Sequence, residues 1–166
     1  MTSELRETVR LLYQFRCGYC GVTEVDTGNG LEIDHYLPVS RGGKDQLENL
    51  VYYCSACNRF KGSVWAPANS ARRILHPLRD DTAAHFREGL DGQIIALTET
   101  GQFHIETLHL NRPQLVAQRK QRLLINQLEQ SLVVRQENQS TLEQLLASRQ
   151  NQLLEILRAL FRMPNE

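Results

Sequence analysis

The sequence predicts an α+β fold in three successive parts. A cysteine-stapled module of short strands and helices covers 1–65, a connector with a small antiparallel β-meander covers 66–110, and a C-terminal α-helical hairpin covers 111–166. Three observations carry this reading. Four cysteines fall as two C-x2-C pairs, Cys17 with Cys20 and Cys54 with Cys57, separated by 33 residues. Three strand-like runs follow, with Asp91-Gly92 and Thr100-Gly101 at their joints. From Asn111 onward glycine, cysteine and tryptophan are absent, glutamine occurs ten times, and leucines recur at helical spacing.

Composition narrows the class. At 166 residues and 41% hydrophobic, the chain is too apolar to stay disordered. No apolar run reaches the roughly 18 residues of a transmembrane helix. The opening Met1-Thr-Ser-Glu-Leu-Arg-Glu is polar and unlike a secretory leader, so a soluble cytoplasmic protein is expected. Lys and Arg total 19 and so do Asp and Glu. Attraction to a polyanion must therefore come from local patches.

The elements follow in chain order. Ser3 reads as the N-cap of a helix over 4–14, with Leu5, Val9 and Leu12 on one face. The first C-x2-C comes next, its turn eased by Gly18 and Gly21. Two disulfides, or one thioredoxin-like redox pair, are the alternatives to a metal. A reducing interior disfavours the first, and the second leaves one pair idle. Four thiolates from two tight turns are the donor set of a closed tetrahedral Zn2+ site. Such a site answers a stability problem too. About fifty residues with few large apolar side chains bury too little surface to fold unaided, whereas structural zinc contributes on the order of 10–16 kcal/mol.

Between the pairs, Leu31-Glu-Ile-Asp-His alternates as a half-buried strand does. Pro38 and Gly42-Gly43 then break it into a loop. Asn49-Leu-Val-Tyr-Tyr leads into the second knuckle, and Asn58-Arg-Phe-Lys-Gly opens a short helix. Together C-x2-C, E-x-D-H-x2-P-x-S-x-G-G, N-L and C-x2-C-N-x2-K-G resemble the HNH endonuclease family over about residues 5–64. The resemblance implies a zinc-stapled ββα-metal nuclease module. His35 matches the first residue of the family name and Asn49 the second. Asn58 stands at the third, where many members carry His.

The residue types suit that chemistry independently. Phosphodiester hydrolysis needs an activated water, a stabilised leaving oxygen and neutralised phosphate charge. Asp34 and Asn58 are hard oxygen donors for one Mg2+ or Mn2+. His35 is suited to be the base, since its unperturbed pKa of about 6.5 leaves it mostly neutral at pH 7. Strand alternation directs it to the face opposite Asp34 unless the backbone twists. The family implies that Asn49 braces the loop bearing His35. Glu32 orients His35, joins the metal through water, or is an exposed strand residue. Arg59 and Lys61, beside Asn58, are expected phosphate contacts; Arg41 and Lys44 are either further contacts or solvated loop charges. Asn58 is a weaker ligand than His or a carboxylate.

The expected function is metal-dependent hydrolysis of DNA, with structural Zn2+ and catalytic Mg2+ or Mn2+. A zinc-dependent nucleic-acid-binding or assembly module with an idle site is the alternative. A ribonuclease is not excluded, because such a site grips phosphates rather than 2′-hydroxyls.

Residues 66–82, with Pro67 and Pro77, read as a connector with a helical piece near 69–75. Ala84–Leu90, Gln93–Thr98 and Gln102–Leu108 are the three expected strands. His76, His85, His104 and His109 read as structural or surface histidines. Asn111 and Pro113 start a helix expected to reach about 136, and Ser140-Thr-Leu-Glu143 reads as the capping box of a second, to about 161. The apolar stripes of this hairpin predict a homodimerisation arm; a hairpin packed on itself and on the meander, or a docking arm for a larger complex, are the alternatives.

Overall fold

A computed structural model describes residues 2–161. The chain divides into two compact units, Met1–Lys120 and Gln121–Glu166.

The first unit holds both sheets. Helix α1 (Ser3–Leu12) is capped by Thr2 rather than the expected Ser3; the Thr2 hydroxyl accepts from the Leu5 amide at 3.2 Å. Thr2 is the last residue with extended backbone before the helix, the conformation an N-cap requires. Val9 is fully buried on the inner face of α1. Arg10 clamps Glu24 of the single-turn α2 (Glu24–Thr27) with two bonds of 2.6 and 2.7 Å. That clamp, with a bond from the Tyr52 hydroxyl, holds the Glu24 carboxyl well below the usual carboxylate range.

Strands β1 (Glu32–His35) and β2 (Leu50–Tyr53) pair antiparallel, with Glu32 opposite Tyr53 and His35 opposite Leu50. All four β2 residues are buried, so this strand is the floor of the core. Helix α3 (Ser55–Lys61) follows directly. The expected order of two strands and a helix is therefore present.

Two departures follow in 66–110. No helix forms near 69–75: the Ser70 amide bonds the Pro67 carbonyl, and the Ser70 hydroxyl takes the Arg72 amide. Such local turns compete with helix. The meander has two strands, β3 (Phe86–Glu88) and β4 (Ile94–Ala96), turning at Asp91-Gly92. The third expected strand is helix α4 (Glu99–Thr107), capped by the Thr98 hydroxyl on the Gly101 amide at 3.0 Å. Its apparent alternation concealed a helical stripe: Gly101, His104, Ile105 and Leu108 are all buried. A Cβ on Gly101 would lie 1.9 Å from the His85 carbonyl oxygen, so only glycine admits this packing.

The C-terminal hairpin is also corrected. One helix, α5, runs from Pro113 to Phe161. Residues 136–141 contain no glycine or proline to force a break. Thr141 bonds back to the Glu137 carbonyl at 3.0 Å and Gln139 reaches Glu143 at 3.0 Å, both i,i+4 contacts of a continuous helix. The capping box at Ser140 does not form. Asn111 is not spent on capping either; its amide brackets the Ile94 backbone at 2.7 and 2.8 Å. Leu108, Leu110 and Leu115 join one core with Val9 and β2.

In the second unit α5 would extend about 60 Å at 1.5 Å per residue. Ile125, Leu128, Leu132, Leu142, Leu146, Leu153, Ile156 and Leu160 are exposed along it. They share one 3-4 register, interrupted by Arg135, Gln139 and Arg149. Among the described residues no helix is long and apolar enough to cross a membrane.

Candidate functional site

The four cysteines converge from two turns. Cys17 and Cys20 sit in a knuckle closed by bonds from Cys17 N to Val22 O and from Gly21 N to Cys17 O, both 2.8 Å. The Gly18 amide ties that knuckle to Tyr52 of β2. Cys54 and Cys57 open α3. The sulfurs lie within 4.8 Å of one another, and Cys20 Sγ to Cys54 Sγ is 3.7 Å. A tetrahedron with metal–sulfur bonds of about 2.3 Å has edges of about 3.8 Å, so the cluster fits zinc. No disulfide joins the four. Burial drives the Cys17 thiol up, while hydrogen bonds from Cys17, Cys20 and Cys57 draw Cys54 down.

The sequence did not reveal Arg112. Its Nη2 lies 3.9 Å from Cys20 Sγ and 4.0 Å from both Cys54 Sγ and Cys57 Sγ. A guanidinium there favours the thiolate form on all three.

A second constellation spans β1 and α3. Glu32 and Asp34, two apart on the strand, meet Asn58 and Lys61, three apart on the helix. Asn58 Nδ2 donates to Glu32 Oε2 at 2.9 Å. Lys61 Nζ donates to Asp34 Oδ2 at 3.3 Å and to the His35 carbonyl at 3.1 Å. The period of two on one element thus meets the period of three to four on the other. Glu32 is bonded to Asn58 and not to His35.

His35 lies at the end of β1, where the chain turns into the loop. Its Nδ1 is 3.8 Å from Asp34 Oδ1, so His35 and Asp34 do converge despite strand alternation. Its Nε2 is 2.7 Å from Asp45 Oδ1. Asp45 was missed in the sequence, ten residues on and beyond the Gly42-Gly43 turn. The bond to His35 holds its carboxyl low. Asn49 braces the loop: its Oδ1 accepts from Leu37 N at 2.8 Å, and its Nδ2 donates to the Leu37 and Lys44 carbonyls at 3.2 and 3.1 Å.

The expected phosphate contacts divide. Lys61 is 2% exposed and committed to Asp34, so it is an interior cation and not a surface contact. Its position one helical turn from Asn58, on the same face, is the cause. Arg59 is exposed, with its guanidinium 5.5 Å from the Phe60 ring centre. Arg41 and Lys44 are exposed on the loop. The histidines of 76–109 are structural where buried. His104 Nδ1 accepts from the Leu75 amide and His76 bonds the Glu48 carbonyl. Burial pushes both down to about 4.

Asp34 and Asn58 offer a carboxylate and an amide oxygen beside a second carboxylate, a donor set that fits Mg2+ or Mn2+. Among the described residues, only the four cysteines form a group of three or more His, Cys, Asp and Glu side chains close enough to share an ion. No curated protein matches the chain. The segment from Cys17 to Ser63, which contains both constellations apart from Arg112, matches the HNH endonuclease family.

Proposed function

We propose that the protein is a metal-dependent endonuclease that hydrolyses phosphodiester bonds in DNA. The observation that carries this is the His35 ring held between two carboxylates, Asp45 on Nε2 and Asp34 near Nδ1. A proton fixed on Nε2 by Asp45 leaves Nδ1 with a free lone pair. His35 then takes a proton from the attacking water through Nδ1, on the side where Asp34 lies. Mg2+ or Mn2+ held by Asp34 and the Asn58 oxygen supplies, when bound, positive charge to the phosphate and the departing 3′ oxygen. Lys61 orients Asp34 through its bond to Oδ2. Asn49 holds the loop and does not touch substrate. Arg59, Arg41 and Lys44 contact phosphates. Resemblance to the family implies products with 5′-phosphate and 3′-hydroxyl ends.

Zn2+ on Cys17, Cys20, Cys54 and Cys57 is structural, since four thiolates leave no open position. A zinc held by four thiolates suits a reducing, cytoplasmic setting. The heptad stripe of α5 supports a homodimer; paired sites would cut both strands, and a monomer would nick.

A second reading draws on Lys61. Its ammonium partly satisfies Asp34 without a metal, as an idle site in a nucleic-acid-binding module would allow. Supercoiled plasmid, incubated with and without Mg2+ or Mn2+ beside the His35→Ala variant, separates the two. Metal-dependent nicking that disappears with His35 is the expected result. Undiminished nicking by the variant refutes the base assignment, and binding without cleavage of DNA or RNA in any metal favours the second reading.

A further inference from the structure

A cavity of about 640 Å³ opens beside the braced loop, in the size range of small-ligand sites. One wall is the loop itself, through Gly43, Lys44 and Asn49; the other is the connector, through Trp65, His76 and Arg79. Asn49 holds the same loop that carries Asp45, so the cavity adjoins the His35 constellation. The connector lies outside the segment that matches the HNH endonuclease family.

The chemistry of this cleft is specific. Trp65 is half-buried and is the chain's one tryptophan. The Arg41 guanidinium lies over its indole, 5.8 Å from the ring centre, so the ring already serves as a stacking surface for a planar cation. Arg79 is exposed over the Tyr36 ring at 5.6 Å. Arg41, Lys44 and Arg79 make no ion pair among the described residues. Of the carboxylates that line the cavity, Asp80 is taken by a two-bond clamp from Arg73 at 2.6 and 2.8 Å, leaving Glu48. Three cations without ionic partners therefore surround an aromatic face and one uncommitted acid. That combination suits a flat base with a phosphate on either side, and a base can enter a cleft of this kind only when it is not paired.

We propose that this cleft binds an unpaired nucleotide of the substrate strand, its base stacked on Trp65 and its phosphates on Arg41, Lys44 and Arg79. The proposal rests on the nuclease reading for the identity of the strand. It makes the preferred substrate single-stranded or locally unpaired DNA next to the cut.

Trp65 reports on its own occupancy. The zinc-loaded full chain, with no Mg2+ or Mn2+ added, is titrated with a single-stranded DNA oligonucleotide, the same oligonucleotide with abasic sites, and its blunt duplex. The single strand is expected to quench Trp65 fluorescence saturably, and the duplex and abasic strand much less. Arg79→Ala, a change at an exposed position, should weaken single-strand binding several-fold. Trp65→Ala, followed by labelled DNA, should weaken it about ten-fold or more, as loss of one stacked base does. Equal quenching by the abasic strand or the duplex overturns the proposal, as does a silent Trp65. Plasmid cleavage by the same preparation keeps the two readings apart. Cleavage with a silent Trp65 refutes the cleft alone. Base-dependent quenching with no cleavage in any metal upholds the cleft as a nucleotide site and refutes the nuclease.

Discussion

Gly43 offers a test of how the loop sets the site. A Cβ at this position would lie 1.9 Å from the Leu37 carbonyl oxygen and 2.9 Å from Asn49 Nδ2. Real Cβ contacts keep at least 3.0 Å, so in Gly43→Ala the Leu37 peptide must retreat by about 1.1 Å, the difference of those distances. Leu37 cannot retreat alone, because the N–H and the C=O on either side of its Cα are both held by Asn49. The displacement passes to His35 at one end and Asp45 at the other. Overpacking of this kind costs about 1–3 kcal/mol of stability. Misplacement of a reacting group by about 1 Å costs on the order of 100-fold in rate. Gly42→Ala is the control. Gly42 has φ of +88° and open space around its Cβ position, so alanine there pays only for left-handed backbone, about 1–2 kcal/mol. Melting temperature and initial nicking rate should therefore separate the pair. Both variants lose similar stability, but only Gly43→Ala loses the bulk of its rate. Full activity in Gly43→Ala, or equal loss in Gly42→Ala, refutes the view that this loop transmits position to His35.

If His35 is the base as proposed, Asp45→Ala should lower kcat of nicking about ten-fold or more with KM nearly unchanged, since a carboxylate acting only through His35 would not meet the substrate; a KM effect alone would argue against that role. His76 and His104, at about 4 when folded against roughly 6.5 unfolded, are neutral inside, so the unfolded chain binds more protons between those values. Their contribution to stability is present above about pH 6.5 and is lost as pH falls toward 4, so the melting temperature should drop through that window; a flat profile would show that burial does not suppress their charge. Leu146→Glu, at the middle of the α5 stripe, should turn a dimer into a monomer in light scattering without changing zinc content, and an unchanged mass would exclude pairing through this face.

Much of the site was legible because its residue types have few other uses. Four cysteines in two C-x2-C turns have one economical arrangement, and Asp34-His35 at the end of an alternating run marks a strand end opposite β2. What was hidden depended on contacts that no local pattern records. Lys61 looks like any lysine near a helix end until α3 is laid against β1 and its head group meets Asp34. Asp45 becomes a partner of His35 only once Gly42 and Gly43 fold the loop back. In α4 an alternation of Phe103, Ile105 and Thr107 competes with the stripe of Gly101, His104, Ile105 and Leu108, and the tertiary contacts of the second decide. At 136–141 a convincing capping box lost to helix continuity, since nothing there obliges the backbone to turn.

The Arg112 contact also predicts an order of folding for the chain. The cysteine ligands all lie within residues 17–57, a short loop to close, whereas Arg112 reaches Cys20 across 92 residues of sequence. Contacts of such long separation form late, after the intervening hairpin and α4 are in place. By loop-closure entropy the cluster is therefore expected to close before its cationic cover arrives. In that order of events a nascent chain would hold its thiolates open to oxidants until Arg112 docks.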